Sequence, residues 1–367
     1  MPIFMDRHNV NDDITAETIA RLHKEDLKVQ SQFACNCITY WWDEQKRSGF
    51  CLIEAPDAQS IHQLHSHAHG AVPNKVIEVD PNLVEAFLGR IEDPRKPDNT
   101  ELNIIDDPAF RIIMAIRPIM ASQKINPAIP GFALKQYKKD VLNLLNAYDG
   151  SLVKEEDGYF LISFRLALQA VHSALDIYSF FREIEEKNNR EKISLKIGLS
   201  AGLPVTDKES IFEEAIRLAE RMCMIVNGKI ILSAEVRDLY HAESEDQLQE
   251  KEIYILSPTD ERFLNGLMDH TEANWTNADL NVNDFCKPIG YSKSQLYRKI
   301  MALTGNSLNT FIKEYRLDKA LSLLSKHECN VSEIAYETGF SSPSYFTKCF
   351  QKRFEKSPTD WMASLSA

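Results

Sequence analysis

Apolar positions in roughly the last 90 residues recur with a helical period and are interrupted twice by the same kind of turn. Phe285, Ile289, Leu296, Ile300 and Leu303 form the inward set of one unit, Val282–Leu303. Ile334, Ala335, Phe340, Tyr345, Phe346 and Phe350 form that of a second, Val331–Phe354. Each unit predicts a short helix, a glycine turn (Gly290, Gly339), a serine cap (Ser292; Ser341 or Ser342) and a second helix. Glycine takes the left-handed backbone that ends a helix without steric cost. A serine then accepts a free N–H at the start of the next helix. Between the units, Phe311, Ile312, Tyr315, Leu317, Ala320, Leu321 and Leu324 mark one long helix over Leu308–Leu324, read as a rigid spacer.

The rest of the chain changes period. Residues 2–8, 36–43, 49–55 and 75–79 read as strands, and 15–30 and 57–69 as helices, a βαββαβ order expected to give a ferredoxin-like sheet. Such a sheet leaves one face open, so face-to-face pairing in a homodimer is expected. Further on, strands are expected at Ile112–Ile116, Tyr159–Phe164, Ser194–Leu199 and Lys229–Ser233, with helices near 131–147, 165–187 and 210–226. Glu92–Asn103, rich in proline and charge, reads as a linker, and His241–Lys251 as a surface loop or hairpin. The expected organisation is multidomain α+β and all-α: a ferredoxin-like domain at 1–90, a linker at 91–107, an α/β domain at 108–257 and an all-α domain at 258–367.

Charge sharpens this division. The chain has 42 basic and 54 acidic residues, a net of −12. From Leu280 onward there are 12 basic and 8 acidic residues, against 30 and 46 before it. An acidic body with a mildly basic tail suits a protein that meets a polyanion only through the tail. No apolar run reaches the ~18–20 residues of a bilayer span. Seven irregularly spaced cysteines and an N-terminus without a basic-then-apolar pattern point to the cytoplasm. Cys35 and Cys37 share a strand face and read as small buried thiols rather than ligands.

The two C-terminal units have the order of a helix-turn-helix, whose second helix enters the major groove of double-stranded DNA. Ser292, Lys293, Gln295, Arg298 and Lys299 are the outward candidates in the first unit. Ser342, Ser344, Tyr345, Thr347, Lys348 and Lys352 are those in the second. Arginine and glutamine read base edges bidentately, and lysine neutralises phosphate. With two units on one chain, two groove contacts need no dimer.

Particular residues carry a resemblance here: Ser294-Gln295-Leu296-Tyr297-Arg298, Tyr315-Arg316-Leu317 before Ala320, Ile334-Ala335 before Gly339-Phe340, Tyr345-Phe346, Phe350 and Ser357-Pro358. Residues from about 260 to 367 resemble the C-terminal DNA-binding domain of the AraC family of bacterial transcription regulators. The family usually has glycine before Ser-Pro, where this chain has Glu355-Lys356, a departure expected to weaken one helix cap by about 1 kcal/mol.

Six of the ten histidines lie in the first domain: His8, His23, His62, His65, His67 and His69. His65 and His69 are four apart, on one helical face, and His8 shares a strand face with Asp6. Imidazoles beside carboxylates (Asp6, Glu54, Glu78) suit nickel or another divalent transition metal, with His8, His23, His65 and His69 as candidate ligands. Spacing alone fits core or hydrogen-bonding histidines equally well. Met1–His8, Thr39-Tyr40-Trp41, Phe50–Pro56 and His65 with His69-Gly70 resemble a small ferredoxin-like bacterial family with nickel-binding members. That resemblance implies the fold and a metal; a small organic effector is the alternative occupant.

The middle segment, through Glu156-Asp157-Gly158, Lys196–Gly202 and Gly228–Ser233, resembles a class III nucleotide cyclase domain. Such cyclases hold two metal ions on two aspartates. The first aspartate position falls at Arg117, the second at Gly158 rather than Asp157, and the catalytic asparagine position at Arg217, leaving only Arg221. A degenerate domain without turnover is expected, a scaffold or dimerisation module before a nucleotide sensor, although Arg117 and Arg217 could still attract a phosphate. The whole reads as a DNA-binding transcription regulator, not an enzyme, whose N-terminal half senses a metal or small ligand or dimerises. The alternatives are a cyclase with a DNA-binding tail and a metal-binding protein with secondary DNA binding.

Overall fold

A computed structural model describes residues 1–95, 101–120, 131–156, 158–187, 193–225, 230–245, 248, 251–325 and 330–365. In the first domain, β1 (Ile3–Asn9), α1 (Ala16–Val29), β2 (Asn36–Asp43), β3 (Ser48–Glu54), α2 (Ala58–Ala68) and β4 (Lys75–Glu78) follow one another. Thr15 and Asp57 start the helices by accepting the N–H of Thr18 and Ser60. The sheet order is β2-β3-β1-β4 with antiparallel neighbours, the ferredoxin-like arrangement.

Successive side chains point to opposite faces of a strand, and here both faces are buried. Phe4, Ile53 and Cys37 pack with Ile61 and Leu64 of α2, while Tyr40 and Trp42 pack with Ile19 and Ala20 of α1. Their strand neighbours Met5, Trp41, Phe50 and Leu52 face the other way, into a cluster shared with the middle domain. The open face expected to pair in a dimer is therefore covered by this chain's own second sheet. The cover includes a helix that periodicity did not suggest, α3 (Pro81–Leu88), capped by Asp80 and closed by Gly89 at φ 83°. Val84, Phe87 and Leu88 enter the cluster, and the buried Arg111 donates to the carbonyls of Phe87 and Leu88, both at 3.1 Å.

The middle domain runs β5 (Arg111–Met120), α4 (Gly131–Asn146), β6 (Ser151–Glu156), β7 (Tyr159–Phe164), α5 (Ala167–Lys187), β8 (Ile193–Gly202), α6 (Glu213–Met222), β9 (Ile230–Leu232), α7 (Ala234–Glu243) and β10 (Ile253–Ile255). Its sheet has the order β10-β9-β8-β5-β7-β6, with only β8–β9 and β9–β10 parallel. Ile112, Met114 and Ile116 face α4, α5 and α7, while Ile113 and Ala115 face the first domain. The expected loop at His241–Lys251 begins instead inside α7. Ser233 caps that helix, Val236 and Tyr240 are buried, and the Glu243 carboxylate accepts the N–H groups of Ala167 and Leu168 at the start of α5.

The C-terminal domain is α8 (Pro258–Asn274), α9 (Val282–Ile289), α10 (Lys293–Thr304), α11 (Leu308–Ser325), α12 (Val331–Glu337), α13 (Pro343–Phe354) and α14 (Pro358–Leu365). Its first core, with Phe263, Leu267, Phe285 and Ile300, is continuous with Met222, Ile225, Ile231 and Leu256 of the middle domain. Its second, with Ile334, Phe346, Phe350 and Trp361, is separate. Helix α11 serves both, giving Phe311 and Ile312 to the first and Leu317, Ala320 and Leu324 to the second. Among the described residues, no helix is long and apolar enough to cross a membrane.

Candidate nucleic-acid interface and metal centre

Helices α9 and α10 meet at Gly290, α12 and α13 at Gly339, at φ 77° and 75°. Ser292 caps α10 and accepts the N–H of Gln295, whose own Oε1 accepts the N–H of Ser292 at 3.0 Å. Gln295 is thus engaged in a reciprocal capping box. In the second unit the cap is Ser342 rather than Ser341, accepting from Tyr345. Lys299 is also engaged, since its ammonium pairs with Asp260 of α8. Lys293 and Arg298 in α10, and Ser344, Lys348 and Lys352 in α13, are exposed; Thr347 is half-buried.

Two tyrosines differ from the apolar pattern. Tyr345, placed among the inward residues by periodicity, is 51% exposed, so it belongs with the outward set. Tyr297, which sequence reasoning passed over, is 56% exposed. Its signal was available: it lies four residues after Lys293, opposite the buried Leu296, Ile300 and Leu303.

In the first domain, β1, β3, α1 and α2 bring His8, His23, His65 and His69 around one cavity of about 40 Å3. His65 is at its centre. Its Nε2 lies 2.8 Å from Asp6 Oδ2 and its Nδ1 3.1 Å from Asp26 Oδ1. His69 Nε2 is 3.2 Å from the same Asp26 oxygen, and His8 Nε2 is 3.4 Å from Asp6 Oδ2. The possible donors fall into two groups sharing His65: Asp6, His8, Cys51 and His65; and Asp26, His65 and His69, with donor atoms in each within 4.8 Å of one another. His23 lines the cavity but is in neither group. Both its ring nitrogens are buried without a hydrogen bond, and burial pushes its pKa down, with Asp93 acting in the opposite sense. Glu54 and Glu78 also stand apart: Glu54 binds the N-terminal amine, and Glu78 is exposed at the end of β4. His62 and His67 are exposed.

Asp26 is the residue that spacing missed. It follows Ile19 and His23 by seven and three residues on the buried stripe of α1, where an unpartnered carboxylate would be costly. Burial opposes the charge on Asp6 and Asp26, but His65 together with His8 or His69 outweighs it and holds both carboxyls below their ordinary range. Burial likewise opposes protonation of His65, yet hydrogen bonds to Asp26 and Asp6 push its pKa up to about 10. His65 is therefore an imidazolium between two carboxylates at neutral pH. These donors fit a divalent transition metal: three imidazoles, two carboxylates, and a buried His8 Nε2 without a hydrogen-bond partner. In the metal-free protein, burial and the two aspartates push the Cys51 thiol pKa well up, so a metal there would have to displace its proton, as it would the proton on His65.

Comparison with known proteins places both sites in context. Residues 4–79 match the model described as "Nickel responsive protein SCO4226-like", and residues 285–364 match "Helix-turn-helix domain". The regulatory protein SoxS of Escherichia coli (strain K12) is 32% identical over 82 residues, which are 22% of this chain and 77% of that protein. The chain belongs to the AraC family of transcription regulators.

Histidine kinase P4 of Formosa agariphila is 40% identical to this AraC-family chain over 106 residues, 29% of the chain and 8% of the kinase. The chain thus spans less than a tenth of that relative's length. The solved structure of SCO4226 from Streptomyces coelicolor A3(2) aligns at 28% identity over 21% of this chain and 94% of that one, with a TM-score of 0.20.

The middle domain lies between the two matched regions. Arg117, in the second half of β5, is exposed and lies 5.6 Å from the ring centroid of Tyr159, while Arg217 pairs with Glu213. Arg221 is buried and donates to Asn265 at 2.8 Å, Asp269 at 2.5 Å and Glu272 at 3.1 Å, all on α8. Gly158, at φ 82°, accepts a hydrogen bond from Tyr137; Asp157 lies outside the described residues.

Proposed function

We propose that this AraC-family chain is a sequence-specific DNA-binding regulator whose first domain binds a divalent transition metal, nickel foremost. The observation that carries the metal reading is the convergence of His8, His65 and His69 on Asp6 and Asp26 around one small cavity. When bound, the metal supplies the positive charge that the His65 proton otherwise supplies between the two aspartates. His8, His65 and His69 would serve as the imidazole donors. His23 would keep a dry wall beside them.

On the DNA side, Lys293, Tyr297 and Arg298 would face one groove segment. Ser344, Tyr345, Thr347, Lys348 and Lys352 would face the next. Ser292, Ser342 and Gln295 act by capping the helices that carry these groups, and Lys299 by anchoring α10 to α8. Arg298→Ala is expected to cost ~1–3 kcal/mol at one preferred base, whereas Lys352→Ala weakens all sequences alike and lowers the salt slope by about one. An unchanged site preference in the Arg298 variant would refute its assignment to base reading.

A contiguous chain of packing supports coupling between the two sites. Met5, Phe50 and Leu52, on the far face of the metal-site sheet, share a cluster with Ala219 and Cys223. Met222, between them in sequence, belongs to the core of the first helix-turn-helix. Cyclase turnover has no support, since Arg117 and Arg217 stand at positions where that chemistry needs a carboxylate and an amide. The test is fluorescence-anisotropy binding to a selected DNA site with nickel and with a chelator. A salt-dependent, sequence-specific signal that changes with nickel is expected. A signal indifferent to nickel in protein that binds nickel would overturn the coupling.

A further inference from the structure

A second cavity, of about 250 Å3, lies between the middle domain and the DNA-binding domain. Two helices face each other across it with the same spacing. Helix α6 contributes Arg217, Glu220 and Arg221, followed by Met224 just beyond its end; α11 contributes Tyr315, Asp318, Lys319 and Ser322. Both sets run i, i+3, i+4, i+7, the pattern of one helical face. Arg117 of β5 completes the middle-domain wall.

Several of its charges are already satisfied. Arg221 is held by Asp269 and Glu272, Arg217 by Glu213, and Glu220 accepts the Tyr159 hydroxyl at 2.8 Å. Arg117 and Lys319 are different. Among the described residues neither has an ion pair within 4 Å; Arg117 rests on the Tyr159 ring and Lys319 on that of Tyr315 at 5.3 Å, and both act at longer range on the Asp318 carboxylate. Asp318 likewise has no ion pair among the described residues, and Ser322 donates to the Asp318 carbonyl at 3.3 Å.

We infer that this cleft binds a small hydroxylated phosphomonoester, of the sugar-phosphate type. The phosphate would be gripped by the Arg117 guanidinium from one wall and the Lys319 ammonium from the other, the cations best suited to a doubly charged oxyanion. Asp318 and Ser322 offer acceptors to hydroxyl groups on the organic part. A ligand so held ties the middle domain to α11, the helix between the two DNA-reading units, so it alters their relation. The inference does not depend on the metal reading.

The test is calorimetric titration of the full chain, dialysed against a chelator, with glucose 6-phosphate, inorganic phosphate and glucose. Saturable binding of glucose 6-phosphate is expected, with glucose silent and inorganic phosphate weaker. Arg117→Ala and Lys319→Ala, on opposite walls, should each weaken it by about tenfold or more. Arg298→Ala should leave it unchanged, which excludes the DNA face as the phosphate site. An unshifted thermal midpoint in the Lys319 variant guards against misfolding. DNA affinity should change with the sugar phosphate by the same factor by which DNA changes sugar-phosphate affinity. Absence of saturable binding up to about 10 mM, a weak-affinity limit, would overturn the inference. So would binding that survives both substitutions, or inorganic phosphate binding as tightly as glucose 6-phosphate.

Discussion

The first helix-turn-helix rests on α8 and shares its core with the middle domain, whereas the second closes around a core of its own and meets the rest through α11 and through Gly339, which lies against the Trp275 and Thr276 carbonyls. Both turn on a left-handed glycine and open the second helix on a serine cap, although only Ser292 forms a reciprocal box; the larger difference lies in what they are built on. The first is held by Arg221 on three α8 side chains and by Lys299 on Asp260. The second is tied back by Arg316, which donates to the carbonyls of Trp275 and Asn277 at 2.7 and 2.6 Å. Anything that shifts the sensing half therefore moves the first reader through a shared core and the second through α11 and the Trp275–Asn277 segment.

Truncating the two cores separates them most strongly. Phe285→Ala and Phe350→Ala should each cost ~3–5 kcal/mol. Hydrogen exchange should show the Phe285 loss spreading into α6 and β9, and the Phe350 loss confined to α11–α14. Equal spreading would erase the distinction.

Alkaline pH probes the same asymmetry from the metal site. Because the His65 pKa is raised from 6.5 to about 10, its stabilising contribution in the metal-free protein is complete below pH 6.5. It declines as pH rises and is gone above about 10. Denaturant titrations across that window should show falling stability of the first domain and loosening of the first reader before the second. A His65→Gln variant should flatten that dependence.

The turn glycines give a smaller contrast. A Cβ at Gly290 would meet nothing within 4 Å, so Gly290→Ala should cost only the ~1–2 kcal/mol of a left-handed backbone. At Gly339 it would approach the Trp275 carbonyl oxygen at 2.6 Å, and Gly339→Ala should cost clearly more by thermal denaturation. The smallest effect belongs to Glu355, which closes α13 at φ 56°, a left-handed backbone that favours glycine. Glu355→Gly should stabilise the second reader by about 1 kcal/mol and leave the first unchanged.

Local rules made much of this legible. In the first domain the strands alternate, Thr15 and Asp57 cap the helices, and the observed ends fall within about two residues of those expected. The caps at Ser292 and Ser342 and the turns at Gly290 and Gly339 were equally plain, because each is settled within four residues. Long-range partners were not visible. Helix α3 is short, and its apolar face is occupied by a second sheet. Lys299 looks outward until Asp260, 39 residues earlier in sequence, takes its ammonium. Asp26 gains its partners only when α2 brings His65 and His69 to it. The histidines themselves were found from type and spacing, yet only the fold separates His23 from the others.

The core that runs from Met222 and Leu256 into Phe263 and Phe285 also bears on how such a chain can be inherited and engineered. Sequence comparison suggests a detachable module at the C-terminus, but a cut before Pro258 would strip that module of four apolar neighbours and of the Arg221 guanidinium. A transplanted tail would arrive sticky and unanchored. The piece most readily exchanged between relatives is the second reader alone, grafted at the level of α11, so new operator preferences could be acquired one half-site at a time while the sensing machinery stays in place.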